Sequence, residues 1–84
     1  MDVAGVIKDY IVREFMDAKR RTALEDDAPL LEEGIIDSLG IFVMVAFLEK
    51  EFGLQIQPED VVLENFETVN AISNLVSARL FSEP

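Results

Sequence analysis

Hydrophobic positions along this chain fall into three helical stretches, joined by segments without that period. In the first, Val3, Val6, Ile7, Tyr10, Ile11 and Phe15 recur at three- and four-residue steps, with Lys8, Asp9, Arg13 and Asp17 on the far side. Asp2 is placed to cap its start, and Lys19-Arg20-Arg21 suit a helix C-terminus, where the pattern fades. In the second, Ile41, Met44, Val45, Leu48 and Phe52 share one face, and Gly53 follows as a left-handed stop. The third starts near Thr68 and would bury Val69, Ile72, Leu75, Val76 and Leu80, leaving Ser82-Glu83-Pro84 frayed.

The joining segments are more informative. From Thr22 to Asp37 no period is visible, and Glu25-Asp26-Asp27 and Glu32-Glu33 flank a few apolar residues. A loop this long in a small domain is often functional. Leu30, Leu31, Ile35 and Ile36 are expected to pin it to the core. Its acids lack the alternation and the glycine-then-glutamate spacing of a calcium loop, so they read as solvated side chains and no metal site is expected. Gly53 to Gln57 reads as an extended connector, with Leu54 and Ile56 touching the core. Pro58-Glu59-Asp60 followed by Val61-Val62-Leu63 predicts a short helix, with proline and acids in its first turn. Asn65-Phe66-Glu67 is a turn with one apolar anchor. The pattern therefore predicts an all-α fold of residues 1–84 as one domain, a small four-helix bundle of three main helices and one short one.

The second helix carries more apolar surface than a core requires. Leu39, Val43, Ala46 and Lys50 fall opposite its core face, with Phe42 and Phe47 on the flanks. Exposed apolar patches of this kind mark partner sites, unless another helix or the long loop covers them.

Composition narrows the function. The 84 residues contain neither cysteine nor histidine. Disulfides, thiolate zinc sites and imidazole-activated nucleophiles are thereby excluded, and an enzyme would have to work with carboxylates and lysines alone. The formal net charge is −10. Residues 1–21 carry five basic and four acidic side chains, whereas residues 22–84 carry two basic and thirteen acidic. Such a surface repels nucleic acid and steers basic partners. No signal peptide or membrane span is visible, and a cytoplasmic protein is expected.

The remaining candidate is Asp37-Ser38-Leu39, where the long loop enters the second helix. Aspartate and serine ahead of an apolar helix are ordinary caps, and taken bare the tripeptide is weak evidence. Its context is specific: Leu31 and Gly34-Ile35-Ile36 lead in, Glu-Lys-Glu-Phe-Gly closes the helix, and Glu64-Asn65-Phe66 with Thr68 precedes the last one. Across nearly the whole chain these features resemble the acyl carrier proteins, small helical carriers whose motif serine bears a phosphopantetheine arm.

The resemblance implies a non-catalytic carrier with Ser38 as the attachment point and Asp37 as its motif aspartate. The 4′-phosphopantetheine would come from coenzyme A through a separate phosphopantetheinyl transferase. Leu39, Phe42, Val43, Ala46 and Phe47 would form the docking face for a loading ligase and a downstream acyltransferase or synthase. In carriers of bacterial fatty acid synthesis this face is rich in acids. Here its early half is Leu39, Gly40, Val43 and Ala46, and acids appear only at Glu49 and Glu51. The Ile-Ile-Asp-Ser-Leu-Gly-Ile opening instead resembles discrete carriers of specialised acyl or aminoacyl pathways, such as polyketide or nonribosomal peptide assembly. A general fatty acid carrier is the alternative, and an unmodified helical adaptor is the alternative of another class. A monomer suits a carrier that visits several enzymes.

Overall fold

A computed structural model describes residues 2–16 and 24–80. Three α-helices form in the expected places: α1 (Val3–Phe15), α2 (Ser38–Phe52) and α3 (Val69–Leu80). Among the described residues there is no strand, and the all-α expectation holds. The Asp2 carboxylate caps α1 by accepting from the Gly5 N–H, as its position predicts. The helix ends at Phe15, ahead of the basic run, because Met16 turns to extended backbone and buries its side chain. Lys19-Arg20-Arg21 and Ser82-Glu83-Pro84 lie outside the described residues.

Gly53 ends α2 in the left-handed conformation (φ 64°), which glycine adopts without the steric cost of a Cβ. The connector that follows is tied back to the helix, since the Glu49 carboxylate accepts from the Ile56 N–H at 3.0 Å. The short helix takes a tighter form than expected. It is two successive 3₁₀ turns, Pro58–Asp60 and Leu63–Asn65, with Val62 and Leu63 exposed between and within them. Phe66 is the fully buried anchor after the second turn, as expected. Thr68 caps α3 through its hydroxyl, which accepts from the Ala71 N–H.

One hydrophobic cluster unites Ile7 and Ile11 of α1, Leu30, Ile35 and Ile36 of the long connection, and Ile41, Met44, Leu48 and Phe52 of α2. Phe66 and Val69, Ile72, Leu75 and Val76 of α3 complete it. Burying each of the larger side chains stabilises the fold by about 2 kcal/mol. Val45, Leu54 and the remaining stripe residues of α1 are half-buried at its margin. Leu80, the last described residue of α3, departs from expectation and is 37% exposed.

The backbones of α1 and α3 lie close together, whereas α1 reaches α2 through long side chains. Tyr10 stacks on Phe47 with ring centroids 3.7 Å apart, and burial pushes the Tyr10 hydroxyl pKa up. A second tie crosses the bundle lower down. Asp60 accepts from the Gln57 N–H and from the Arg79 guanidinium, joining the first 3₁₀ turn to the end of α3.

Candidate functional site

The entry to α2 is built from the connection before it. Leu30 is fully buried, and both polar groups of its backbone are used. Its N–H donates to the Glu67 carbonyl at 2.8 Å, and its carbonyl accepts from the N–H groups of Ile35 (2.9 Å) and Ile36 (3.2 Å). Gly34, at φ 71°, makes the reversal that brings Ile35 and Ile36 back to Leu30. Further along, the Asp26 carbonyl accepts from the Asn70 N–H, so the connection is fastened at two points to the start of α3. Lys8 of α1 pairs with the Asp26 carboxylate, which raises the lysine pKa. A segment that looks irregular in sequence is thus fixed by backbone hydrogen bonds around one buried leucine. Leu31, expected beside it in the core, is only half-buried.

The last residue of this connection is Asp37, in extended conformation. Its carboxylate accepts from the Gly40 N–H at 2.7 Å, and its carbonyl accepts from the Ile41 N–H. Asp37 therefore caps the helix, and Ser38 becomes the first helical residue with an exposed side chain. A serine is often consumed as the cap at such a position. Here the aspartate takes that role and the hydroxyl is left facing solvent.

Gly40 was not expected to matter, and on the sequence it sits with the outward-facing residues of α2. In the structure it is buried. A Cβ built there would meet Ile36 Cγ2 at 2.9 Å and Phe15 Cε1 at 3.1 Å. The first turn of α2 is thus packed directly on α1 and on the buried isoleucine two residues ahead of Ser38. The sequence does hold a signal for this, because glycine within a helix costs about 1 kcal/mol against alanine and so implies a packing reason.

Of the five residues proposed for a docking face, four lie together in the open. Leu39 is 76% exposed, Phe42 64% and Val43 46%, and Ala46 is exposed beside them. Phe47 stands apart from them, half-buried under Tyr10, and belongs to the packing between α1 and α2. Glu49, counted among the acids of this helix, is held by the connector. Lys50 and Glu51 are exposed at its far end.

Among the described residues, no three acids come together in a way that could hold a metal ion. No described helix is long and apolar enough to cross a membrane.

Comparison with known proteins places this arrangement. Residues 7–76 match the family model described as a phosphopantetheine attachment site. The chain is 34% identical over 76 residues to "Probable acyl carrier protein PigG" of Serratia sp. (strain ATCC 39006), covering 90% of this chain and 85% of that protein. It is 30% identical over 73 residues to "D-alanyl carrier protein" of Abiotrophia defectiva, covering 87% of this chain and 80% of that one. A three-helix fold with an exposed serine at the mouth of α2 and a family match spanning five-sixths of the chain agree: this protein belongs to the acyl carrier protein family, whose members work with a covalently attached 4′-phosphopantetheine.

Proposed function

We propose that Ser38 bears the phosphopantetheine arm, that Asp37 positions it, and that the chain itself performs no catalysis. The observation that best supports this is the division of labour at the start of α2. The Asp37 carboxylate satisfies the Gly40 N–H, so Ser38 is exposed and its hydroxyl is not needed for the cap. The open amide groups at the helix N-terminus also favour the negative charge of a phosphodiester at that residue. These features fit the group. When bound, the arm supplies a terminal thiol for thioester chemistry, which a chain without cysteine cannot provide.

With no histidine in the sequence, activation of the Ser38 hydroxyl falls to a separate transferase that uses coenzyme A. The remaining work is presentation. Leu39, Phe42, Val43 and Ala46 offer an apolar contact beside Ser38, while the net negative charge of the chain steers basic partners into reach. Tethering then gives the cargo a high local concentration at each docked enzyme without tight binding.

The apolar character of the α2 face supports a carrier dedicated to one acyl or aminoacyl pathway, loaded by an ATP-using ligase and served by its own acyltransferase or synthase. The name of the D-alanyl carrier relative points the same way. In this reading the carrier acts as a cytoplasmic monomer.

The decisive test is intact mass after incubation with coenzyme A, magnesium and a broad-specificity phosphopantetheinyl transferase. A gain of one phosphopantetheine is expected for the wild type and none for Ser38→Ala. A folded wild-type sample that gains nothing would favour the unmodified adaptor. Efficient malonyl transfer and chain elongation by fatty acid synthesis enzymes on the loaded protein would favour the general fatty acid carrier.

A further inference from the structure

Between the long connection and the start of α3 lies an open groove of about 420 Å³, lined by Pro29, Leu31, Glu32, Leu63, Glu67 and Thr68. Its lining is mostly apolar, with Pro29, Leu31 and Leu63, and two exposed acidic residues, Glu32 and Glu67, border it. Leu63 is 61% exposed, a large apolar side chain on a 3₁₀ turn that the core does not use. Among the described residues, neither lysine nor arginine lines the groove.

This groove is coupled to the entry of α2 through a short path. The backbone of Glu67 accepts from Leu30, and the carbonyl of Leu30 accepts from Ile36, two residues before Ser38. A chain advances at most about 3.6 Å per residue, so that carbonyl lies within roughly 12 Å of the Ser38 Cα. Cargo on a flexible arm at Ser38 has the groove within reach, and tethering lets weak contacts there count.

We propose that the groove seats the end of the carried group and selects an aminoacyl cargo, one with a free ammonium, over neutral or carboxylated acyl groups; this rests on Ser38 as the attachment point. A short aliphatic side chain lies against Pro29, Leu31 and Leu63, and the ammonium faces Glu32 and Glu67. A neutral acyl group of the same size keeps the apolar contact and loses the charge complementarity. A malonyl-type group would bring a third carboxylate toward two others, in a part of the chain with thirteen acids and two bases.

The experiment uses the full chain carrying amide-linked alanyl, propionyl or malonyl pantetheine arms, transferred from the corresponding coenzyme A analogues, with backbone amide shifts as the readout. Intact mass establishes that each sample bears one arm. The alanyl arm is expected to move the amides of Leu31, Glu32, Leu63, Glu67 and Thr68 several-fold more than the propionyl arm does. The malonyl arm should leave them where the bare pantetheine arm puts them. The alanyl effect is expected to fall to the propionyl level in E32Q/E67Q, and partway in E67Q alone, where the backbone bond to Leu30 is kept. Equal shifts from alanyl and propionyl arms, shifts confined to residues outside the groove, or no shifts at all in a loaded sample would each overturn the groove assignment while leaving Ser38 intact. Failure of Ser38 to accept any arm would overturn the attachment reading and this proposal with it.

Discussion

Asp37 and Asp60 make the same local bond and serve opposite ends. Each carboxylate accepts a backbone N–H three residues away, Asp37 from Gly40 ahead of it and Asp60 from Gln57 behind it. Asp37 stays exposed, and the residue beside it is left free to face solvent. Asp60 is buried and takes a second donor, the Arg79 guanidinium, which holds its carboxyl below the usual aspartate range. Its backbone carbonyl also accepts from the Asn65 side chain at 2.8 Å. One aspartate presents a neighbour; the other clamps two segments together. The lesson is that burial and a cationic partner, rather than the turn itself, decide which job such a residue does.

The comparison breaks most visibly at Asp60. Asp60→Ala removes the charge-assisted bond and leaves the Arg79 guanidinium without its carboxylate partner, and a loss of about 2 kcal/mol is expected. Urea unfolding would measure it, while loading at Ser38 should persist in the folded fraction. Acid tests the same pair. Because the folded pKa of Asp60 is depressed, its contribution is fully present above the unfolded pKa and is lost as pH falls through the folded value. The stability gap between wild type and Asp60→Asn should therefore shrink below about pH 4. A gap that stays constant to lower pH would deny the clamp.

At the other aspartate the expected effects are smaller in stability and larger in function. Gly40→Ala gains helix propensity but drives a methyl group into the buried Ile36 and the ring edge of Phe15. A net loss of about 1 kcal/mol is expected, with a slower phosphopantetheinyl transfer because the turn before Ser38 must shift. Unchanged stability would show that the packing there is slack. Asp37→Ala should cost somewhat less, roughly 0.5–1 kcal/mol for a lost cap. It should still slow transfer measurably, since the Ser38 hydroxyl becomes the substitute cap. Transfer rates equal to wild type would detach Asp37 from any positioning role.

Much of this was legible in the pattern of residues. Period-3.6 stripes located α1, α2 and α3, and Asp2 and Gly53 marked boundaries, because caps and left-handed stops are local preferences that survive any tertiary context. Asp37-Ser38 could be singled out as a helix start, yet which of the two side chains makes the cap was open, since both chemistries serve. The family resemblance rested on motifs spread over the chain, and the match over residues 7–76 agrees with it.

What the sequence by itself determined is therefore the set of helices, the absence of thiol and imidazole chemistry, and the place where the serine emerges. Tertiary structure alone decided the rest. It folded the connection around the backbone of Leu30, through pairings with Glu67, Ile35 and Ile36 that have no side-chain signature. It turned Gly40 inward, moved Phe47 from the open face to a stack with Tyr10, and joined Asp60 to Arg79 across nineteen residues. Each of these depends on which segments meet in space, and a helical period carries no information about that.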